Sequence, residues 1–484
     1  MKRIYILTGL MAVIAFTSCK KQLDLKPFNA VAEEQALINP SDFAAAARGM
    51  YLRMLSKGNQ ATYIPNDYYG GTDNFNFIAS NDILSDNAIS YSGGRQTGLV
   101  YQNWDYNGLS TTNFYQDGYS IIRTANAILA KIENLKDGSR ADVEGQALAV
   151  RAIVHFDMLR IFGKTYTNAS STDLGIPYIK TVQLATDNPA RATVKSNYDQ
   201  IRDDLEKAAG LIDDLSGVKA KGRLSKAAVY GYLSRVYLYR GDWDKCVSVS
   251  SNALAINGDA GSLSEFPGIW KDATDAGVLF KLVVLDVNRL TPGTVLGQNA
   301  RAEQVPAFDF YNLYKATDVR KSAYFTEKTN EDILLNYVSK YEGRASGNLN
   351  VVDIKLMRVA EVLLNRAEAY SNIPGNDGLA LADLDNLRSK RYTDFRVAGE
   401  RGIALQSAIA LQRRLELAFE GDRFVDLKRK NLPVVRNAGY GDRADGYGRP
   451  YRKVLLPAGS DKFQLPIDQI SINASNGVLI QNPN

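Results

Sequence analysis

Histidine is nearly missing from this chain: His155 is the only one in 484 residues, and cysteine occurs just twice, as Cys19 and Cys246. A lone imidazole without a second histidine or a Cys-x-x-Cys pair cannot build a typical zinc site, so no metal is expected. His155 is expected to be a packed or hydrogen-bonded side chain. Two distant cysteines cannot make a disulfide framework, and Cys246, in a helical pattern, reads as a buried and inert thiol. There is no His-Glu-x-x-His, no Gly-x-Ser-x-Gly elbow and no phosphate loop. Common routes to catalysis are therefore missing, and no catalytic residue or cofactor is expected. The net charge is only +5, with no basic block, which gives nucleic-acid binding no support. Beyond residue 19 no uninterrupted apolar stretch approaches the roughly 20 residues that a membrane span needs.

What is present begins at the N-terminus. Lys2 and Arg3 precede an apolar run from Ile4 to Phe16, then the small residues Thr17 and Ser18, then Cys19. Charged, greasy and small is the order of a secretory signal. Ending on cysteine, it resembles a bacterial lipoprotein signal, which implies cleavage before Cys19 and lipid on its sulfur. Residues 1–18 are thus expected to be a signal peptide and 19–40 a lipidated tether. The several acyl chains that this resemblance implies would make the attachment effectively permanent. The hydrophobic fraction of 45% with 23% charge suits a body with a real core.

Helical periodicity dominates that body. Phe43, Ala47, Met50, Tyr51 and Met54 recur on one face after Ser41. Strong helices are expected over 112–133 and 142–162, the latter stopped by Gly163, and the short link between them requires an antiparallel hairpin. The pattern recurs over 196–213, 224–240, 243–256, 353–371, 378–391 and 404–420. The run from Gly231 to Trp243 alternates small residues with tyrosine, as in tetratricopeptide-like helix pairs. The spacing is irregular, so the expectation is helix pairs in a loop-rich body. Val278–Leu285 is a short β-prone run, 430–463 is Gly- and Arg-rich and irregular, and the last segment from Leu465 reads as extended. Two parts are expected, 41–260 and 261–484.

Residues 59–110 interleave Gly, Asn, Asp, Ser and aromatic residues without a sustained period. Loops that long inside a compact body are often functional. Sugar rings offer C–H faces that stack on aromatic rings, and their hydroxyls need amide, carboxylate and guanidinium partners. Trp104, Tyr101, Asn103, Tyr69, Asn74 and Arg95 supply that combination and form the candidate ligand set, with core packing the equal alternative. Glu416 and Glu420 lie one helical turn apart. A carboxylate pair invites a glycosidase reading, but Arg413, Arg423 and Asp426 surround it at spacings that build an ion-pair network, which is the structural role expected.

The ordered set of local patterns resembles the SusD/RagB family of outer-membrane lipoproteins from Bacteroidetes. It comprises Cys19 with Leu23-Asp24, the helix bearing Tyr115, Tyr119, Ile122 and Asn126, and Glu144–Ala147 running into Arg151–Phe156 and Gly163. Gly175-Ile176-Pro177, Arg223–Tyr239, Glu361–Ala369, Arg413–Arg429, Leu465-Pro466-Ile467 and Gln481-Asn482-Pro483 follow in order. The resemblance implies a mainly α fold, with tetratricopeptide-like pairs forming an α-superhelix that supports long irregular loops. It also implies capture of an oligosaccharide or peptide at the cell exterior and delivery to a SusC-like, TonB-dependent β-barrel transporter, with the outer membrane held through Cys19. The alternatives are a surface-anchored glycan-degrading enzyme and a helical-repeat scaffold for other proteins.

Overall fold

A computed structural model describes residues 36–55, 68–69, 75–184, 186–213, 222–285, 292–296, 302–344, 347 and 349–483. Cys19 and Asn74 lie outside the described residues. The longer helices are α1 (Pro40–Leu55), α2 (Phe77–Leu84), α3 (Thr112–Ala130), α4 (Arg140–Phe162), α5 (Val194–Leu211), α6 (Lys226–Arg240), α7 (Trp243–Ile256), α8 (Val359–Ser371), α9 (Asp377–Ser389), α10 (Gly402–Glu416), α11 (Arg423–Arg429) and α12 (Gln469–Ala474). None of the described helices is long and apolar enough to cross a membrane.

The strands are short and pair two by two, all antiparallel. They are β1 (Ala88–Ser90) with β3 (Gln304–Pro306), β2 (Val278–Leu282) with β6 (Ile354–Arg358), β4 (Phe325–Asn330) with β5 (Ile333–Val338), and β7 (Val434–Val435) with β8 (Leu455–Leu456). Two of these pairs, β1–β3 and β7–β8, frame the loop face described below.

Helix α4 is the axis of the core: every residue from Gly145 to Phe162 is buried. Its C-terminal carbonyls need partners, because the last turn of a helix has none of its own. Lys428 Nζ donates to Arg160 O at 2.7 Å, Leu465 N to Ile161 O at 3.1 Å and Asn482 Nδ2 to Phe162 O at 2.7 Å. The chain's far C-terminal segment is thereby tied to this buried helix. Helix pairing follows the expected order. Small residues fit between α6, α7 and α8: Asn365 Nδ2 donates to Ser234 Oγ at 2.9 Å, and the Cys246 thiol meets Ser234 O at 3.3 Å. Burial pushes that thiol up to about 12, which keeps it protonated and unreactive.

His155 is buried on α4. Its ring stacks on Tyr178 with centroids 3.9 Å apart, Nδ1 lies 2.8 Å from Arg151 O, and Nε2 accepts from Ile179 N at 3.1 Å. Since Nε2 accepts, Nδ1 carries the proton and the ring is neutral. It holds the Gly175-Ile176-Pro177 loop against the helix.

Three expectations are corrected. Residues 59–110 are not loop throughout, because α2 lies inside them. That helix is buried on all sides, which erases the amphipathic period, and Asn76 caps it by accepting from Ala79 N at 2.8 Å. The helix expected over 353–371 starts only at Val359, since residues 354–358 are drawn into a strand by β2. The C-terminal segment is not wholly extended: Asp468 accepts from Ile470 N and Ser471 N and starts α12.

The motif from Arg413 to Arg429 forms a buried lattice of charges. Glu416, with no exposed surface, accepts from Arg358 Nη1 at 2.7 Å, from Arg391 Nε at 2.9 Å and from Arg320 Nη1 at 3.2 Å. Burial alone would raise its pKa, but Arg391, Arg358 and Arg320 outweigh it and hold the carboxyl well below its usual range. Glu420 takes Lys340 at 2.7 Å and Arg358. Arg413 pairs with Asp422 at 2.9 Å and with Asp426 at 3.4 Å, and Arg423 reaches Asp86 at 2.8 Å. Lys340 also sits 3.9 Å from the centre of the Trp270 ring and 4.0 Å from that of Tyr324.

Two outcomes follow from these buried groups. Breaking one side of a buried pair leaves uncompensated charge, so Glu416→Gln is expected to lower the unfolding free energy by ~3–5 kcal/mol in urea titrations; a change under about 1 kcal/mol contradicts the lattice. Burial brings the His155 pKa from 6.5 down to about 3. A depressed basic pKa means stability that is whole above pH 6.5 and lost as pH falls toward the folded value. Between pH 6 and 4 the parent should lose up to ~1.4 kcal/mol per pH unit more than His155→Gln, and equal slopes contradict a neutral buried ring.

Candidate functional site

The expected ligand set separates when placed in the fold. Trp104 is buried: its Nε1 donates to Leu84 O at 3.1 Å, and the Arg436 guanidinium covers its face at 4.2 Å. Arg436 in turn donates to the carbonyls of Ile83, Leu84 and Ser85 at 2.8–2.9 Å. Tyr101 is buried and donates to Ser110 O at 2.7 Å. Tyr69 is buried, bonds Asp157 and packs edge-on against Tyr68 at 4.8 Å. Asn103 is buried beside them, and its Oδ1 meets no donor among the described residues. These four support the loops from beneath and have no open face for a ligand. The expectation of a stacking platform on Trp104, Tyr101 and Tyr69 is corrected accordingly. Burial wins because each ring also brings a polar tip that satisfies a buried carbonyl or carboxylate.

Arg95 behaves differently. Its side chain is half exposed, and Nε donates to the buried Glu303 at 2.7 Å. It lies on the 91–97 loop that leaves β1, and Tyr91 N donates to Glu303 O at 2.9 Å. This loop is joined to a second one, residues 440–449. Asp442 is buried, and its two oxygens accept from Ser92 N at 2.6 Å and Arg449 N at 2.8 Å. Arg449 Nη1 closes the joint by donating to Gln96 Oε1 at 2.8 Å.

The second loop is locked by its own hydrogen bonds. Gly441 N donates to Gly446 O at 2.7 Å, Arg443 N to Tyr447 O at 3.0 Å, and Ala444 N to Leu334 O at 3.0 Å on β5. Two glycines are required by space and dihedral angle. A Cβ on Gly441 would lie 2.5 Å from Tyr447 O. Gly448 has φ +99°, and a Cβ there would meet Asp442 Oδ1 at 2.1 Å.

At the tip of this loop Tyr447 is 74% exposed, and its backbone N–H is held by Asp445 Oδ1 at 2.9 Å. Tyr440 is also exposed and packs on Phe308 with centroids 4.7 Å apart. Sequence reasoning missed both tyrosines. The available signal was their position: each stands beside glycine in the irregular 430–463 stretch, where no helical or strand period assigns a ring to the core.

The carboxylate pair offers no hydrolytic machinery. The Glu416 oxygens are fully taken by guanidinium groups without exposed surface, and Glu420 is committed to Lys340 and Arg358. The described residues contain no cluster of three or more metal-ligating side chains. The 91–97 and 440–449 loops, joined through Asp442, form an exposed aromatic and polar face.

Comparison with known proteins agrees with this architecture. A family model described as starch-binding and associating with the outer membrane matches residues 50–238, and the SusD family model matches 299–484. SusD-like protein P2 of Formosa agariphila is 24% identical, across 88% of this chain and 91% of its own. A candidate sugar-binding protein of Bacteroides vulgatus superposes with a TM-score of 0.80 at 26% identity, covering 92% of this chain and 98% of that one. Surface glycan-binding protein A of Bacteroides thetaiotaomicron, solved with laminarihexaose, superposes at 0.69 and 17% identity, over 92% and 99% of the two chains. With residues 50–238 and 299–484 matched and the fold shared over 92% of its length, the chain belongs to the SusD/RagB family.

Proposed function

We propose that this protein is a cell-surface lipoprotein that captures an oligosaccharide and passes it, unaltered, to a SusC-like TonB-dependent barrel. The observation that carries the reading is Tyr447: a ring 74% exposed on a loop whose backbone is fixed by internal hydrogen bonds. Exposing a large ring on a preformed loop reduces the ordering that binding would otherwise require. A sugar's C–H face can stack on that ring while its hydroxyls bond the loop's polar groups. The glycan ligand of the B. thetaiotaomicron relative supports a glycan over a peptide. In this reading Cys19 carries the lipid, the helix pairs brace the loop face, and the barrel's energy source drives import, so the chain itself needs no cofactor. Binding without turnover fits a face that gathers rings, amides and guanidinium groups while its acid pair is sealed in the interior.

The test is calorimetry on the chain from Gln22 onward, which lacks the lipidated cysteine, with a panel of starch and laminarin oligosaccharides and other glycans. Stacking supplies ~0.5–1.5 kcal/mol beyond area burial. Tyr447→Ala should therefore weaken binding to any hit about three- to tenfold and leave the melting temperature unchanged. Trp104→Ala should do the reverse, lowering stability by ~3–5 kcal/mol with little change in affinity below its melting point. Unchanged affinity in Tyr447→Ala contradicts the site, and release of shortened products from the panel contradicts binding without turnover.

A further inference from the structure

Helices α6, α7, α8, α10 and α11 contribute to an open pocket of about 460 Å³ that shares no residue with the 91–97 and 440–449 loops. That volume falls within the range of small-molecule sites. The buried residues Leu238, Tyr239 and Arg429 form its bottom, and the exposed Asn372, Gln406 and Ser407 stand at its rim. Trp243 lines it as well and is half-buried, whereas the other two tryptophans, Trp104 and Trp270, are buried. A Cβ on Gly241, at the turn from α6 to α7, would lie 3.7 Å from Trp243 Cζ2 and 3.8 Å from Thr167 Cγ2, so the indole packs against this turn.

The rim amides are each anchored by one end. Asn372 Nδ2 donates to Glu368 O at 2.8 Å and Gln406 Nε2 to Ser371 O at 3.1 Å, while neither amide oxygen has a partner among the described residues. Groups fixed in this way need little further ordering to accept from a ligand hydroxyl. At the bottom, Arg429 gives Nη1 and Nη2 to Glu368 at 2.8 and 2.7 Å, but its Nε and the Tyr239 hydroxyl are buried without a partner among the described residues. A buried donor lacking an acceptor is costly, which favours an occupant rich in oxygen.

The charges at this end of the pocket cancel. Arg429 pairs with Glu368 and Asp426, and Lys430 lies 3.4 Å from the first and 3.7 Å from the second. Burial opposes ionisation of both acids, but Arg429 and Lys430 outweigh it and hold the two carboxyls below their usual range. Two cations against two carboxylates give no preference for a charged ligand of either sign.

From an open indole, two anchored amides and balanced charge gathered in one pocket, we propose a second glycan site on the helix pairs, which takes an uncharged sugar with its C–H face on Trp243 and its hydroxyls on Asn372 and Gln406. The proposal goes beyond the capture assigned to Tyr447 and stands on different residues. A glycan long enough to span both sites would be held longer without a stronger contact at either.

Iodide quenching of tryptophan emission reads this pocket alone, because Trp104 and Trp270 are buried. Titrations on the chain from Gln22 onward would use maltohexaose, laminarihexaose, cellohexaose and xylohexaose, with a galacturonate oligosaccharide as the charged comparison, in the parent and in Tyr447→Ala. The expected result is saturable protection of Trp243 by at least one neutral hexaose, retained in Tyr447→Ala and absent in Trp243→Phe, which assigns the signal. Calorimetry in the Tyr447→Ala background should then show that binding weakened about three- to tenfold by Trp243→Ala. Gln406→Ala should weaken it roughly fivefold at an unchanged melting temperature, a readout that holds even where Trp243→Ala folds poorly. No protection by any neutral hexaose would overturn the pocket. Protection that disappears in Tyr447→Ala would overturn it too, returning the effect to the loop face and leaving capture there standing. Protection by the galacturonate as strong as by the neutral sugars would overturn the uncharged class. Protection of Trp243 with an affinity indifferent to Tyr447→Ala would support this site while removing the one at Tyr447.

Discussion

A full negative charge on Glu416, with three guanidinium groups around it and no exposed surface, is the constraint from which the loop face is built. Desolvating such a group is costly, and only the near-contact approach of Arg320, Arg358 and Arg391 makes it stable there. Those arginines come from three distant stretches of the chain, so the carboxylate fixes their relative positions. The turn that follows is pinned as well: Tyr314, Tyr324 and Tyr341 donate their hydroxyls to the carbonyls of Leu415, Glu416 and Phe419. The same motif reaches forward through Arg414 and Arg423, which grip Asp86 and Asn87 just before β1. From β1 the chain enters the 91–97 loop, and Asp442 joins that loop to the one carrying Tyr447. The buried lattice therefore sets where the exposed ring stands.

The tyrosine excess has a related explanation. Irregular loops leave backbone carbonyls without ladder partners, and each buried one needs a donor. A tyrosine packs its ring in the core and reaches a carbonyl with its hydroxyl. Tyr101 does this for Ser110, Tyr119 for Pro177 and Tyr451 for Ala88. The aromatic richness that points toward ligand binding is thus mostly an internal device of a loop-rich fold, and the rings left for recognition are few.

That division marks how far the sequence could be read. The long helices were legible because Phe114, Ile122, Ala125 and Ile128, or Val150, Val154, Met158 and Ile161, repeat at helical spacing. Helix α2 was not, since a helix buried on every side has no polar face to set a period. Strand β6 was hidden because Ile354–Arg358 acquires its structure from β2, more than 70 residues away in the chain. Within the candidate site, composition placed Arg95 on the loop face, yet it could not separate the Trp104 ring beneath the loop from the Tyr447 ring above it. Both sit among glycines and polar residues. What separates them is whether Arg436 and Leu84 close over the ring, a tertiary fact. The short dipeptide signals around Tyr440 and Tyr447 carry the same local chemistry as many turns.

A crystal structure of the mature chain soaked with an oligosaccharide that binds it tests the account most directly. The account predicts a sugar ring lying on Tyr447, with the 440–449 loop backbone unmoved and Trp104 still covered by Arg436. An oligosaccharide held elsewhere, with Tyr447 bare, or one that opens the Trp104–Arg436 contact to stack on the indole, would contradict it.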